Sequence, residues 1–289
     1  MLQKQRSVLI TGCSSGFGRA SALKFLAAGW KVAASMRNVA DWKGDVGNKN
    51  LLLISLDLDD PHSVQTAMAA VLTRFGTLDC LVNNAGRALL SVFESTPLSS
   101  IQEVFETNLF GPMRLIQTII PHFRAHGGGT IVNVSSQSAI MPEPLMAAYN
   151  ATKCALEGFS ESLQYELAPH NIWLKLVEPG MVFGTNLIDS TLKHSQDVPV
   201  PSTYQSFVDQ TMQMYMSRNP EHLATVEDVA LCILDAAEGR TAGLHIPVGP
   251  DAVLSAQMRR GHSSAEYERY ASAAFENPGK LSSNQQSTV

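Results

Sequence analysis

Short runs rich in valine, isoleucine and leucine recur along the chain, and most are followed by a longer stretch in which apolar positions return every three or four residues. The runs fall at 7–12 (SVLITG), 30–37 (WKVAASMR), 50–57 (NLLLISLD), 78–86 (LDCLVNNAG), 130–136 (TIVNVSS), 172–180 (IWLKLVEPG) and 243–249 (GLHIPVG). Near-continuous apolar character predicts strands covered on both faces rather than strands with one wet side. The helical period predicts helices opening near Phe17, Asp60, Leu98 and Ala147 and within 225–239; the one from Leu98 is long and ends at the three glycines 127–129. Residues from about 181 to 222 show neither period and read as an irregular segment. Strand and helix alternating in this way predict an α/β fold, a single doubly wound parallel sheet of about seven strands with helices on both faces. No Pro/Gly-rich linker or internal repeat interrupts the alternation. One domain over 1–261 is therefore expected, with a substrate loop at about 181–222. Residues 262–289 form an extension whose polar end, SSNQQSTV, is expected to be disordered.

Composition narrows the classes of function. With 45% hydrophobic and 16% charged residues among 289, the chain can bury a large core, and a net charge of −5 offers no basic face for a nucleic-acid backbone. Its four cysteines lie far apart without a CxxC pair, so neither a disulfide framework nor a structural zinc site is expected. No apolar run approaches the length of a membrane span and no leader-like segment opens the chain, which points to a cytoplasmic protein. The N-x-S/T triplets at Asn133 and Asn150 then read as coincidental. His122 and His126 share a helical face but lack the glutamate of HExxH; they complement a helix C-terminus, and no metal is expected.

Four local patterns carry chemistry. The first strand ends in Gly12, Gly16 and Gly18 and opens a helix, a setting in which backbone amides and the helix dipole hold a pyrophosphate. The second strand ends at Arg37 with no acid nearby; a base there suits a ribose 2′-phosphate, which favours NADP(H) over NAD(H). Tyr149 and Lys153, four residues apart, project from consecutive turns of one helix face. Pro112 lies four residues past Asn108 and offers no N–H to the Asn108 carbonyl, so it either frees that oxygen or simply bends the helix.

Taken together, these pieces resemble the short-chain dehydrogenase/reductase family, and most closely its carbonyl reductases and hydroxysteroid- or retinol-type members. Its TGxxxGxG motif reads Thr11 to Gly18, its NNAG motif Asn83 to Gly86, its YxxxK motif Tyr149 to Lys153, and its PG motif Pro179-Gly180. The resemblance implies a catalytic set of Asn108, Ser136, Tyr149 and Lys153. It also implies cofactor contacts from Gly12, Ser14, Ser15, Gly16, Phe17 and Gly18, from Arg37, from Asp57 and Leu58, from Asn83, Ala85 and Gly86, and from Pro179, Gly180 and Val182. Tyr149 and Lys153 are implied on the nicotinamide side. One departure is PGMVFGT where PGxVxT is usual, which puts Gly184 in the threonine position and Thr185 one place late; the resemblance carries the threonine's cofactor contact over to Thr185. A nearby cation lowers a phenol's pKa, so Lys153 together with an oxidised nicotinamide is expected to bring Tyr149 toward neutrality. The expected reaction interconverts a ketone or aldehyde with an alcohol, on a bulky, lipophilic substrate bound between 137–147 and the methionine-rich segment before 222. An epimerase or dehydratase, or a cofactor-sensing regulator without turnover, is the alternative. The small residues Ala148, Ala151, Ala155, Gly158 and Ser162 along one helix suit close helix approach and, with the resemblance, imply a homodimer or homotetramer.

Overall fold

The structure is a computed structural model that describes residues 5–185, 191, 198–219 and 223–276. The expected disordered end and parts of the expected substrate loop lie outside the described residues.

Seven strands form one sheet: β1 (Ser7–Ile10), β2 (Lys31–Met36), β3 (Leu51–Ser55), β4 (Cys80–Asn83), β5 (Gly129–Val134), β6 (Ile172–Pro179) and β7 (His245–Val248). All pair in parallel, in the order β3-β2-β1-β4-β5-β6-β7. The α-helices among the described residues are α1 (Gly16–Ala27), α2 (Pro61–Phe75), α3 (Leu98–Phe105), α4 (Gly111–Ala125), α5 (Ala147–Leu167), α6 (Gln205–Met216), α7 (Val226–Ala237), α8 (Pro250–Gly261) and α9 (Ser264–Glu276).

The apolar runs are continuous because each strand feeds two cores in alternation. Val8, Ile10, Val82, Val132 and Val177 face α1 and α7, where Phe25, Val229 and Ile233 pack on them. Leu9, Leu81, Ile131 and Leu176 face α2, α4 and α5, meeting Val71, Ile119, Phe123 and Leu163. Thr225 starts α7 with a capping box, its hydroxyl accepting from the Asp228 N–H while the Asp228 carboxylate accepts from the Thr225 N–H.

Two regions depart from the sequence reading. The long helix expected from Leu98 is broken at its middle by a π turn, Glu106–Phe110, in which the Gly111 N–H reaches back to the Glu106 carbonyl. A helix, α6, occupies part of the segment expected to be irregular. In the extension after 261, α9 packs Tyr267 and Ala274 against Met141 of the loop after β5, and Tyr267 Oη donates to the Ile140 carbonyl at 2.9 Å. No helix among the described residues is long and apolar enough to cross a membrane. Asn133 and Asn150 are both buried, which leaves neither open to a glycan.

Candidate active site

The crevice opens at the carboxyl ends of the strands, where the order reverses between β1 and β4. It is a cavity of about 560 Å³.

Its floor is the glycine turn. Gly12 adopts φ +74°, and a Cβ there would stand 2.8 Å from the Ala85 Cα. A Cβ on Gly18 would stand 2.3 Å from the Gly12 carbonyl oxygen, so the first turn of α1 can lie this close to the loop only without a side chain. Two residues outside the expected set hold this floor together. Thr11 Oγ1 accepts the N–H groups of Asn84 and Ala85, both at 2.9 Å, and Asn84 Nδ2 donates to the Thr11 carbonyl at 2.8 Å. Ser14, Ser15, Gly16 and Phe17 line the cavity at the α1 N-terminus. The Ser15 side chain makes no cap bond to the first-turn amides. A cradle that only glycine fits, at a helix N-terminus without a capping side chain, suits the pyrophosphate of a dinucleotide.

Along one wall, Arg37 at the end of β2 and Asp57 and Leu58 after β3 line the cavity. Arg37 makes no ion pair among the described residues. Ala85, Gly86, Pro179, Gly180, Val182 and Thr185 line it on the other side. Gly184 adopts φ +81°, a backbone conformation that favours glycine. Thr185 beside it packs over the glycine turn, its Cβ 3.6 Å from where a Gly16 Cβ would be. Gly180 leaves room for Asp251, whose Oδ2 accepts the Met181 N–H at 2.9 Å. Gly18, Asn83 and Asn108 stand behind the lining. Asn83 faces away, donating from Nδ2 to Asn133 Oδ1 at 2.8 Å, and Asn133 Nδ2 donates in turn to Ser160 Oγ at 2.9 Å.

The four residues implied as catalytic converge from three elements. Tyr149 and Lys153 rise from the first two turns of α5, the Lys153 Nζ 5.7 Å from the phenol ring centroid. Lys153 Nζ donates to the Val134 carbonyl, at 2.9 Å, at the end of β5. Ser136 follows that strand as the N-cap of a 3₁₀ turn, its Oγ accepting the Ser138 N–H at 3.1 Å, and lines the same cavity as Tyr149. Asn108, in the π turn, is fully engaged: its Oδ1 accepts the Arg87 N–H at 2.8 Å, and its Nδ2 donates to the Arg87 carbonyl at 2.8 Å and to Thr152 Oγ1 at 3.0 Å. Asn108 thus ties the loop after β4 to α5. Thr152 was not legible from the motifs, although it sits inside YxxxK.

Burial dominates the electrostatics. It pushes the Tyr149 phenol up to about 12, with the Ser136 hydrogen bond opposing and the charge on Glu143 adding. It lowers Lys153 to about 8, with Glu157 opposing. In the protein alone, burial and the charge on Glu143 outweigh the effect of Ser136 on the phenol, and the lowering expected from Lys153 together with an oxidised nicotinamide belongs to the cofactor-bound state.

Behind the site lies a second polar cluster. Glu157 (α5), Glu178 (β6) and His245 (β7) bring ligand atoms within 4.8 Å of one another. The Arg260 guanidinium lies among them, with Nη2 2.9 Å from Glu178 Oε1 and 3.0 Å from His245 Nδ1. Ser135 Oγ donates to Glu157 Oε1 at 2.6 Å, and burial raises that carboxyl to about 7. His122 and His126 stay at the end of α4: the Leu78 N–H donates to His122 Nε2 at 3.1 Å, and the two rings stack 4.0 Å apart.

A parallel sheet with its crevice at the switch point, a glycine-only cradle and a buried tyrosine beside a lysine define a nicotinamide-dependent oxidoreductase. The chain belongs to the short chain dehydrogenase family, whose sequence pattern it matches over residues 6–196. It is 32% identical over 271 residues, 88% of this chain and 93% of the relative, to the uncharacterized oxidoreductase YusZ of Bacillus subtilis. It is 32% identical over 81% of its length to retinol dehydrogenase 8 of Bos taurus, covering 78% of that protein. Among solved structures, a short-chain dehydrogenase from Streptomyces avermitilis superposes with a TM-score of 0.77 at 32% identity, covering 99% of this chain and 100% of that one. The 3-ketoacyl-(acyl-carrier-protein) reductase of Brucella melitensis, solved with NADH, superposes with a TM-score of 0.70 at 27% identity, over 84% of this chain and 96% of that one. The chain is accordingly an oxidoreductase acting on CH–OH groups.

Proposed function

We propose that the protein is an NADP(H)-dependent reductase and dehydrogenase that interconverts a bulky, lipophilic ketone or aldehyde with its alcohol. The observation that carries this reading is the convergence of Ser136, Tyr149 and Lys153 on one wall of a cavity whose opposite end is the glycine cradle. The dinucleotide would lie along that cradle, with Arg37 at its ribose 2′-phosphate, Asp57 and Leu58 at the adenine end, Thr185 and Val182 over its middle, and Lys153 toward the nicotinamide ribose. It would supply or accept the hydride.

The chain's own residues handle the proton. The Tyr149 phenol, held protonated by burial, gives its proton to the substrate oxygen in reduction and receives one in oxidation. Ser136 stabilises the negative charge that develops on the same oxygen. Asn108 keeps the α5 face and the loop after β4 in register around that oxygen. Pro112 offers no N–H to the Asn108 carbonyl, which leaves that oxygen for a water leading from Lys153 to solvent.

Support for a lipophilic substrate comes from the cavity wall, where Leu90, Met146, Met181, Met212, Tyr215 and Met216 line the same cavity as Tyr149. Methionine-rich walls adapt to varied apolar shapes. A relative named for retinol is in keeping with this.

The test is to follow NADPH oxidation with all-trans-retinal, a 17-ketosteroid and a medium-chain 2-alkanone. At least one is turned over, and faster with NADPH than with NADH. Tyr149→Phe, which keeps the ring and removes the proton, lowers kcat about 10²- to 10⁴-fold with the fold and NADPH affinity unchanged. A folded Phe variant with near-parent turnover refutes the role given to Tyr149.

A further inference from the structure

A hydrogen-bonded chain starts at Ser136 and ends beyond α6. Ser136 Oγ lies 3.1 Å from Ser138 Oγ, Ser138 Oγ 3.2 Å from Glu143 Oε2, and Glu143 Oε1 3.1 Å from Arg218 Nη2. A second tie joins the same two segments, from Tyr215 Oη to the Pro144 carbonyl at 2.9 Å, and the Arg218 guanidinium lies over the Tyr215 ring at 5.6 Å.

The direction of this chain follows from chemistry. An ionised carboxylate only accepts, so the Ser138 hydroxyl proton points at Glu143 and the Ser138 oxygen is left to accept from Ser136. Ser136 Oγ also accepts the Ser138 N–H at 3.1 Å. With the chain in this sense, Ser136 turns its proton away from the cavity and presents only a lone pair. A substrate carbonyl offers only lone pairs itself, so it needs a Ser136 that donates. That sense becomes available when Glu143 carries a proton and donates to Ser138, which then donates to Ser136.

The surroundings of Glu143 suit such a role. Burial pushes its carboxyl above the ordinary range; Asp251 at the start of α8 adds to this, while Arg218 and Ser138 oppose it. Tyr149 on α5 and Tyr215 on α6 both feel its charge. Glu143 is also the one acid in the otherwise apolar stretch 139–148.

We propose that Glu143, anchored by Arg218, is a positioning residue that sets the donor direction of the Ser136 hydroxyl through Ser138. The proposal rests on the reading of Ser136 as the group that stabilises the substrate oxygen. Glu143 itself supplies no proton to the substrate and acts only through the two serines.

A double-mutant cycle in the full chain tests it, with NADPH and all-trans-retinal, or whichever of the 17-ketosteroid and 2-alkanone the parent turns over. Ser138→Ala lowers reductive kcat about 10-fold, less than the loss from removing a donor outright, whereas Glu143→Gln, with its Oε1 toward Arg218 and its Nε2 donating to Ser138, holds the productive sense and keeps kcat within about twofold of the parent; both leave the KM for NADPH in place. In a Ser136→Ala background neither adds a further loss beyond about twofold, because the group they act through is gone. The reductive pH profile of the parent contains a carboxyl ionisation above the ordinary carboxylate range that the Gln variant lacks. Ser138→Ala interrupts the chain while keeping the Glu143–Arg218 pair, so the cycle stands on it even where Glu143→Gln folds poorly. Losses that multiply in the Ser136→Ala background, or an unchanged pH profile in the Gln variant, overturn the proposal while the assignment of Ser136 survives. A parent inert towards the whole panel, or a Ser136→Ala variant as active as the parent, overturns the function reading and the proposal together.

Discussion

Lys153 is about 5% exposed and Tyr149 about 6%, and both keep an ionisable group where water cannot help it. The consequence is a pH signature in stability. Lys153 falls from 10.5 to about 8 in the folded chain, so between those values the unfolded chain binds the extra proton and stability rises with pH. At about 1.4 kcal/mol per unit, Lys153 contributes a few kcal/mol from pH 8 to pH 10.5, a contribution fully present only above the unfolded value. Lys153→Met removes it: the parent-minus-variant difference in urea midpoint climbs between pH 7.5 and 10, a difference in which the thiols of Cys13, Cys80 and Cys232, whose raised pKa lowers stability with pH in both chains, cancel. Tyr149 works oppositely, since its raised pKa makes the fold lose stability from pH 10 upward. Arg37 gives a second prediction at this scale. Arg37→Asp exchanges attraction for repulsion at a 2′-phosphate and weakens NADPH about 10- to 100-fold, with NADH unaffected or improved. Equal losses for both dinucleotides in a binding titration would remove Arg37 as the discriminator. Tyr149, Lys153 and Arg37 were legible because each lies within or beside a short motif. Glu143 and Arg218 were not, because their pairing spans 75 residues and a single sequence carries no trace of it.

At the scale of elements, the π turn between α3 and α4 is where the backbone departs most from regular form near the site. A π turn accommodates one extra residue in a helix, and here it precedes a proline that cannot serve the Asn108 carbonyl. Gly111, packed so that a Cβ would stand 2.7 Å from Leu58 Cβ, fixes the start of α4 beside the cavity wall. Pro112→Ala supplies the missing N–H, and the expected result is lower turnover with nearly unchanged NADPH affinity and a larger solvent isotope effect. A variant equal to the parent in all three measurements would show the proline to be a bend only. The sequence announced the strands clearly, because burial on both faces leaves little room for polar residues in them. It did not announce α8 or α9. The buried face of α8 is Ala252, Ser255 and Ala256, small residues that leave no apolar period, and α9 meets the body mainly through Tyr267 and Ala274.

For the molecule as a whole, the outer face of α5 presents Ala151, Gly158 and Ser162 to the exterior, and a Cβ on Gly158 would meet nothing within 4 Å. We expect this face to meet its copy about a two-fold axis, giving a mass by light scattering of two or four times 31.3 kDa. Gly158→Arg leaves the protomer room to fold and is expected to lower that mass; a parent already monomeric at micromolar concentration refutes the assembly. The sheet order, the crevice and the glycine turn could be read in advance because they depend on local runs and short motifs, whereas the bracing of the site depends on contacts between distant parts of the chain. The bond from Tyr267 to the Ile140 carbonyl is one of these, spanning 127 residues. On a ribosome adding about 5 to 20 residues per second, Tyr267 is joined to the chain about 6 to 25 seconds after Ile140. For that interval a nascent chain already holding Ser136, with Tyr149 and Lys153 soon to follow, has its loop unbraced, and oxidoreductase activity should emerge as a late event of synthesis, well after the central strands have paired.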